Sequence, residues 1–138
     1  MPAFNDLPKT PNGKKEGAKL VCVNIVTADT ERLSSFYRDI LGAWIDESHG
    51  GPNRIEIWFG PPNDATVCIV ANYAEEYKRQ DYGVCQGFEL RVRDADAEYK
   101  RIRGLGIQAS QPKDLPWGYR YFSIPDPDGN GVDIVQAL

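Results

Sequence analysis

The sequence predicts an α+β fold of two tandem βαβββ modules, and three observations carry that expectation. Short β-branched runs alternate with period two, two amphipathic segments with helical spacing interrupt them, and the order strand, helix, three strands occurs twice. A chain of 138 residues suits one such domain, because halves of this size bury too little apolar surface to stand alone.

The first residues, MPAFNDLPKTPNGKKEGAK, are rich in Pro, Gly, Asn and Lys. They lack the apolar stretch of a signal peptide, so 1–17 is expected to be a flexible arm and 18–138 the domain. Within KLVCVNIVTAD, Val21, Val23 and Ile25 alternate against Cys22, Asn24 and Val26, the period of a strand. Asp29 or Thr30 can then cap a helix over TERLSSFYRDIL. Its apolar positions Leu33, Phe36, Tyr37, Ile40 and Leu41 share one face, and Gly42 stands where it would stop. Ser34 and Ser35 read as helix-surface serines. The runs AWIDES, RIEIWFG and ATVCIVANY, separated by HGGPN and PPND, supply three strands and close module 1 at about 18–73.

The charged stretch 74–86 reads as a linker. Module 2, about 87–138, starts with GFELRVRD, a strand followed by Asp94 just as the first is followed by Asp29. ADAEYKRIRGLG places Ala95, Tyr99, Ile102 and Leu105 on one helical face, with Gly104 or Gly106 at its end. IQAS, GYRYFSI and GVDIVQAL supply the last strands, and DPDGNG is the turn between the final two.

Composition excludes several function classes. A net charge of −4 with a pI near 5.0 disfavours nucleic acid, whose phosphates demand clustered Lys and Arg. No apolar run approaches the roughly 20 residues that cross a bilayer. Cys22, Cys68 and Cys85 are odd in number and widely spaced, which fits thiols in a reducing cytoplasm better than a disulfide framework. GGPN lacks the helix and Lys of a phosphate loop, and neither GxSxG nor CxxC occurs. A nucleophilic Cys22 would need a base to form thiolate, and the one imidazole, His49, lies in the turn SHGGPN.

The phrases VNIVTADTERLSSFYRDILG and WGYRYFSIPDPDGNGVDIVQ, in this order over a repeat, resemble the vicinal oxygen chelate superfamily: glyoxalases, extradiol dioxygenases and bleomycin-resistance proteins. The resemblance covers roughly Ala18 to the C-terminus. It implies sheets curled around a cleft, and commonly a homodimer. In enzymatic members a His stands seven positions before the Asp that closes the first strand. A His or Glu stands at the same place in the second half, and a Glu three positions after the Asn of the DPDGN turn. Those positions carry Cys22, Gly87 and Asp133 here. Nickel, zinc or iron would need several imidazoles or carboxylates converging within about 2.0 to 2.3 Å. The resemblance therefore implies a metal-independent, bleomycin-resistance-like binder with no cofactor. An unorthodox divalent cation site from Cys22, Glu56, Glu89 and Asp133 stays open beside it.

If Cys22 and Asp133 look into the cleft as the resemblance implies, strand period adds Asn24, Glu56, Trp58, Glu89 and Arg91 to its lining. Tyr119 and Tyr121 join them if that face of 118–124 is inward, and Trp117, in the loop KDLPWGY, is a candidate cover. Carboxylates at Glu56, Glu89 and Asp133 would draw a cationic or hydrogen-bonding ligand; alternatively Glu89 pairs with Arg91 or Arg54 on a solvated face. Trp58 and the tyrosines can stack on a flat ligand or pack at a dimer seam. The expected function is sequestration of a small organic ligand or antibiotic. The alternatives are a lyase, isomerase or dioxygenase with a rearranged metal site, a metal-free acid-base catalyst, or a structural dimer whose cavity is filled by side chains.

Overall fold

The computed structural model describes residues 22–48, 54–60, 68–73 and 88–138. The expectations for the N-terminal arm, His49, the linker, Cys85 and Gly87 lie outside them. The chain runs β1 (Cys22–Thr27), α1 (Thr30–Leu41), β2 (Trp44–Asp46), β3 (Arg54–Trp58) and β4 (Cys68–Tyr73). It then repeats as β5 (Phe88–Arg91), α2 (Ala95–Gly104), β6 (Lys113–Leu115), β7 (Tyr119–Pro125) and β8 (Gly131–Ala137).

Each unit folds its strands the same way. One four-stranded sheet has the order β1-β4-β3-β2 and the other β5-β8-β7-β6, each with a parallel pair made by its first and last strands. The helices start alike too. The carboxylate of Asp29 accepts from the Arg32 amide at 2.9 Å and that of Asp94 from the Ala97 amide at 3.0 Å, filling donors that the first helical turn leaves open. Helix α1 ends at Gly42, whose φ of 74° lies in the left-handed region that glycine adopts without strain.

One core spans both modules. Leu33 and Tyr37 of α1, Ile57 of β3, Ile102 of α2, Phe122 of β7 and Val132 and Ile134 of β8 are buried in a single cluster. Each such side chain contributes about 1.5–3 kcal/mol by leaving water. The Tyr37 ring meets Phe59 of its own module edge-on and Phe88 of the other at a tilt. Polar ties cross the same seam. Tyr37 donates to buried Asp126 at 2.8 Å, Arg32 pairs with Asp128 at 3.0 Å, and Arg101 of α2 donates at 2.8 Å to the Ile40 carbonyl near the negative end of α1.

Three local expectations change. The sixth strand is Lys113–Leu115, not IQAS: Ile107 and Ala109 pack on the core, but that stretch joins β7 only through Ser110, which bonds Ser123 twice. Leu105 falls beyond the last turn of α2 and is 55% exposed instead of sharing the buried face. Ser34 is buried and donates to the Glu31 carbonyl at 3.2 Å; its neighbour Ser35 is half-buried.

Candidate functional site

Each helix covers one face of its sheet, and period-two alternation sends the remaining side chains to the other face. In module 1 that face carries Cys22, Asn24 and Val26 from β1, Trp44 from β2, Arg54, Glu56 and Trp58 from β3, and Val70 from β4. Ile25, Ile55, Ile57 and Ile69 point to the core. Trp44 and Trp58 are register partners, and their rings stack at 5.4 Å and 14°. With Val70 and Cys22 they form a second, smaller apolar cluster.

Glu56 lies in the floor of this face at 1% exposure. Arg54 bonds one of its oxygens at 2.8 Å, and the Trp58 indole N–H donates to the other at 3.1 Å. A buried carboxylate needs such partners, because desolvation otherwise costs several kcal/mol. Glu56 is therefore neutralised from within the sheet and turned away from solvent.

The corresponding face of module 2 is more open, and its register lays side chains in transverse rows. Arg91, Val135, Tyr121 and Lys113 pair in succession across β5, β8, β7 and β6. On one side runs the row Glu89, Asp133 and Ser123, in which the Ser123 hydroxyl donates to Asp133; on the other runs Ala137, Tyr119 and Leu115. Arg91 donates to the Tyr119 hydroxyl at 3.0 Å with its guanidinium carbon 5.6 Å from that ring's centre. The Lys113 ammonium stands 5.5 Å from the centre of Tyr121. Arg120 leaves by the opposite face to bond Asp96 and Asp114, while Phe122 and Ile124 enter the core.

The residues singled out from sequence thus divide between two sheets. Cys22, Asn24, Glu56 and Trp58 share the helix-free face of module 1; Glu89, Arg91, Tyr119, Tyr121 and Asp133 share that of module 2. Trp117 sits apart at 69% exposure, in the turn closed by the Gly118 amide on the Leu115 carbonyl. Of the pairings considered for Glu89, Arg54 instead takes Glu56 and Arg91 takes a tyrosine hydroxyl. Lys113 was not singled out, and Ser123 was grouped with Tyr119 and Tyr121 by parity alone. Their signal is the strand register, which puts Lys113 opposite Tyr121 and Ser123 opposite Asp133.

The metal expectation can be tested on the donors. Cys22 packs in the Trp58 and Val70 cluster, Glu56 is held by Arg54 and Trp58, and Asp133 accepts from Ser123. Among the described residues no three of His, Cys, Asp and Glu gather where one ion could be held. Within one chain these donors do not form the converging set that a divalent transition metal requires.

Two βαβββ units of identical strand order, each with a helix on one face and a polar, aromatic surface on the other, define a paired-module α+β protein. The family model for the Glyoxalase/Bleomycin resistance protein/Dioxygenase superfamily matches residues 19–134, and the chain belongs to that superfamily. No curated protein matches it. Among solved structures it is similar to TnmS3, an antibiotic binding protein from Streptomyces sp. CB03234, at 24% identity and TM-score 0.73 over 88% of this chain and 97% of that one. A superfamily member from Sphaerobacter thermophilus DSM 20745 matches at 27% identity and TM-score 0.73, over 86% and 97%. A lactoylglutathione lyase from Agrobacterium tumefaciens matches at 19% and 0.69, over 87% and 94%.

Proposed function

We propose that this protein is a metal-independent binder that sequesters a small organic molecule, of antibiotic type, against the helix-free faces of its sheets. The observation that carries the reading is that aromatic side chains line both faces: Trp44 stacked on buried Trp58 in one, half-buried Tyr119 and Tyr121 on the more open other. Aromatic faces give large contact area at little entropic cost and are suited to flat ligands. The likeness to an antibiotic binding protein points the same way. So does residue chemistry: a thiol, a glycine and a carboxylate stand where enzymatic relatives carry metal ligands. In this reading a second copy of the chain completes the cleft, residues 18–138 act as one domain, and the protein works in the cytoplasm with its thiols reduced.

Titration of purified protein with a panel of flat and cationic compounds, including a bleomycin-type glycopeptide, followed by tryptophan fluorescence, tests the proposal. Saturable quenching by at least one compound is the expected result. Silence across the panel refutes it, and stoichiometric nickel, zinc, manganese or iron in the purified protein would favour a lyase, isomerase or dioxygenase instead.

A further inference from the structure

Sequence chemistry alone suggests a cationic ligand, drawn by Glu56, Glu89 and Asp133. The structure removes one of those attractions: Glu56 is buried and ion-paired to Arg54, whereas Glu89 and Asp133 stand in a neighbouring row of the same face. What stands directly over the aromatic floor of module 2 is positive charge: Arg91 beside Tyr119 and Lys113 beside Tyr121. Both side chains are exposed, and among the described residues neither has a carboxylate within ion-pairing distance. In a chain with more acidic than basic residues, two unpaired cations held over neighbouring tyrosines are a specific arrangement.

From this geometry we infer that the helix-free face of module 2 binds planar aromatic anions, a ring lying on Tyr119, Tyr121 and Val135 while its carboxylate or phenolate meets Arg91 or Lys113. The inference rests on the small-molecule reading above and adds the sign of the ligand's charge. An exposed cation over a tyrosine is held only weakly, so turning it toward an incoming anion costs little. Arg91 spends one N–H on the Tyr119 hydroxyl and keeps the other four of its five donors. Strand spacing of about 4.8 Å sets the Arg91 and Lys113 backbones about 14 Å apart, so a two-ring compound fits between them lengthwise. Leu115 and Ala137 extend the apolar floor on one side. The Glu89 and Asp133 row bounds it on the other and disfavours a second negative group there.

The test compares naphthalene-2-carboxylate with 2-naphthylmethylammonium, the same ring with opposite charge, by calorimetric titration of the full chain at low salt. The carboxylate is expected to bind about tenfold tighter or more, with the preference shrinking in 0.5 M salt. Arg91→Met and Lys113→Met are each expected to weaken the carboxylate several-fold and leave the ammonium unchanged, whereas Arg91→Lys retains the preference. Equal binding of the two compounds, a preference for the ammonium, or no binding of either overturns the inference, and the wild-type comparison decides this without any variant. If other compounds still quench the tryptophans, the general binding reading survives that result; if none does, both fall.

Discussion

Removing one hydroxyl should measure how strongly the two modules are tied. Tyr37 is fully buried in α1 and donates at 2.8 Å to Asp126 in the β7–β8 turn, 89 positions away in sequence. The other donors to that carboxylate are the amides of Asp128 and Asn130 on one oxygen and the Asn130 side chain on the other. Tyr37→Phe keeps the ring against Phe36, Phe59 and Phe88 but leaves the second oxygen of a buried anion with only the Asn130 donor. A hydrogen bond to a charged group contributes about 1.5–3 kcal/mol, and a chain of this length shifts its midpoint by roughly 3–5 °C per kcal/mol. Thermal unfolding by circular dichroism should therefore show a midpoint lowered by about 5–15 °C, and urea unfolding a lower midpoint with an unchanged slope. Tyr99→Phe is the control: its half-buried ring packs edge-on against Phe122, and the change should stay within about 0.5 kcal/mol. A Tyr37→Phe midpoint within about 2 °C of wild type would refute the claim that Asp126 depends on module 1.

Other substitutions probe the elements singly. Arg54→Met removes the ion pair of the buried Glu56 carboxylate and should cost about 3 kcal/mol in urea unfolding; adding Glu56→Gln should recover part of that. Asp29→Ala and Asp94→Ala each remove a helix cap and should cost about 1 kcal/mol apiece, additively because the caps share no partner. The hydrogen bonds from Arg38 hold the Asp39 carboxyl below the usual carboxylate range. Its contribution is thus present above the unfolded-state value and lost as pH falls through the folded one. An NMR titration should find a low midpoint that rises in Arg38→Gln, with little change in stability because the pair is exposed.

The legible parts of the fold are those set by neighbours along the chain. Period two located β1, β3, β5, β7 and β8, and the Asp and Gly punctuation located both helix starts and the end of α1. Parity also grouped the candidate residues correctly by face. Strand β6 was illegible because KDL has no apolar alternation. It pairs through its backbone with β7 and seats its side chains on what β7 presents, Lys113 on Tyr121 and Asp114 on Arg120. IQAS has the apolar pattern without the pairing. The Tyr37 to Asp126 bond and the Arg54 to Glu56 pair depend on packing and side-chain direction, which residue order does not carry. The second of these decides the electrostatics of the module 1 face, so the sign of charge available to a ligand could not be read without the structure.

Superposing the two modules by their caps, Asp29 on Asp94, sets Val23 against Phe88 and Ile25 against Leu90, and of these Ile25, Phe88 and Leu90 belong to or pack on the shared core. It sets Asn24 against Glu89 and Val26 against Arg91 on the opposite face. Apolar stays apolar where packing density punishes any change of volume or polarity. On the other face a buried valine in one module stands where the second has an exposed arginine over a tyrosine. No core contact requires that difference, and an arginine there gives the core nothing. The two faces have been free to take separate chemistries, a closed tryptophan surface over a neutralised carboxylate in module 1 and an open, cation-bearing tyrosine surface in module 2. Under the proposed binding function, selectivity should therefore follow substitutions at Asn24, Glu89 and Arg91, while substitutions at Ile25 and Leu90 should change stability alone.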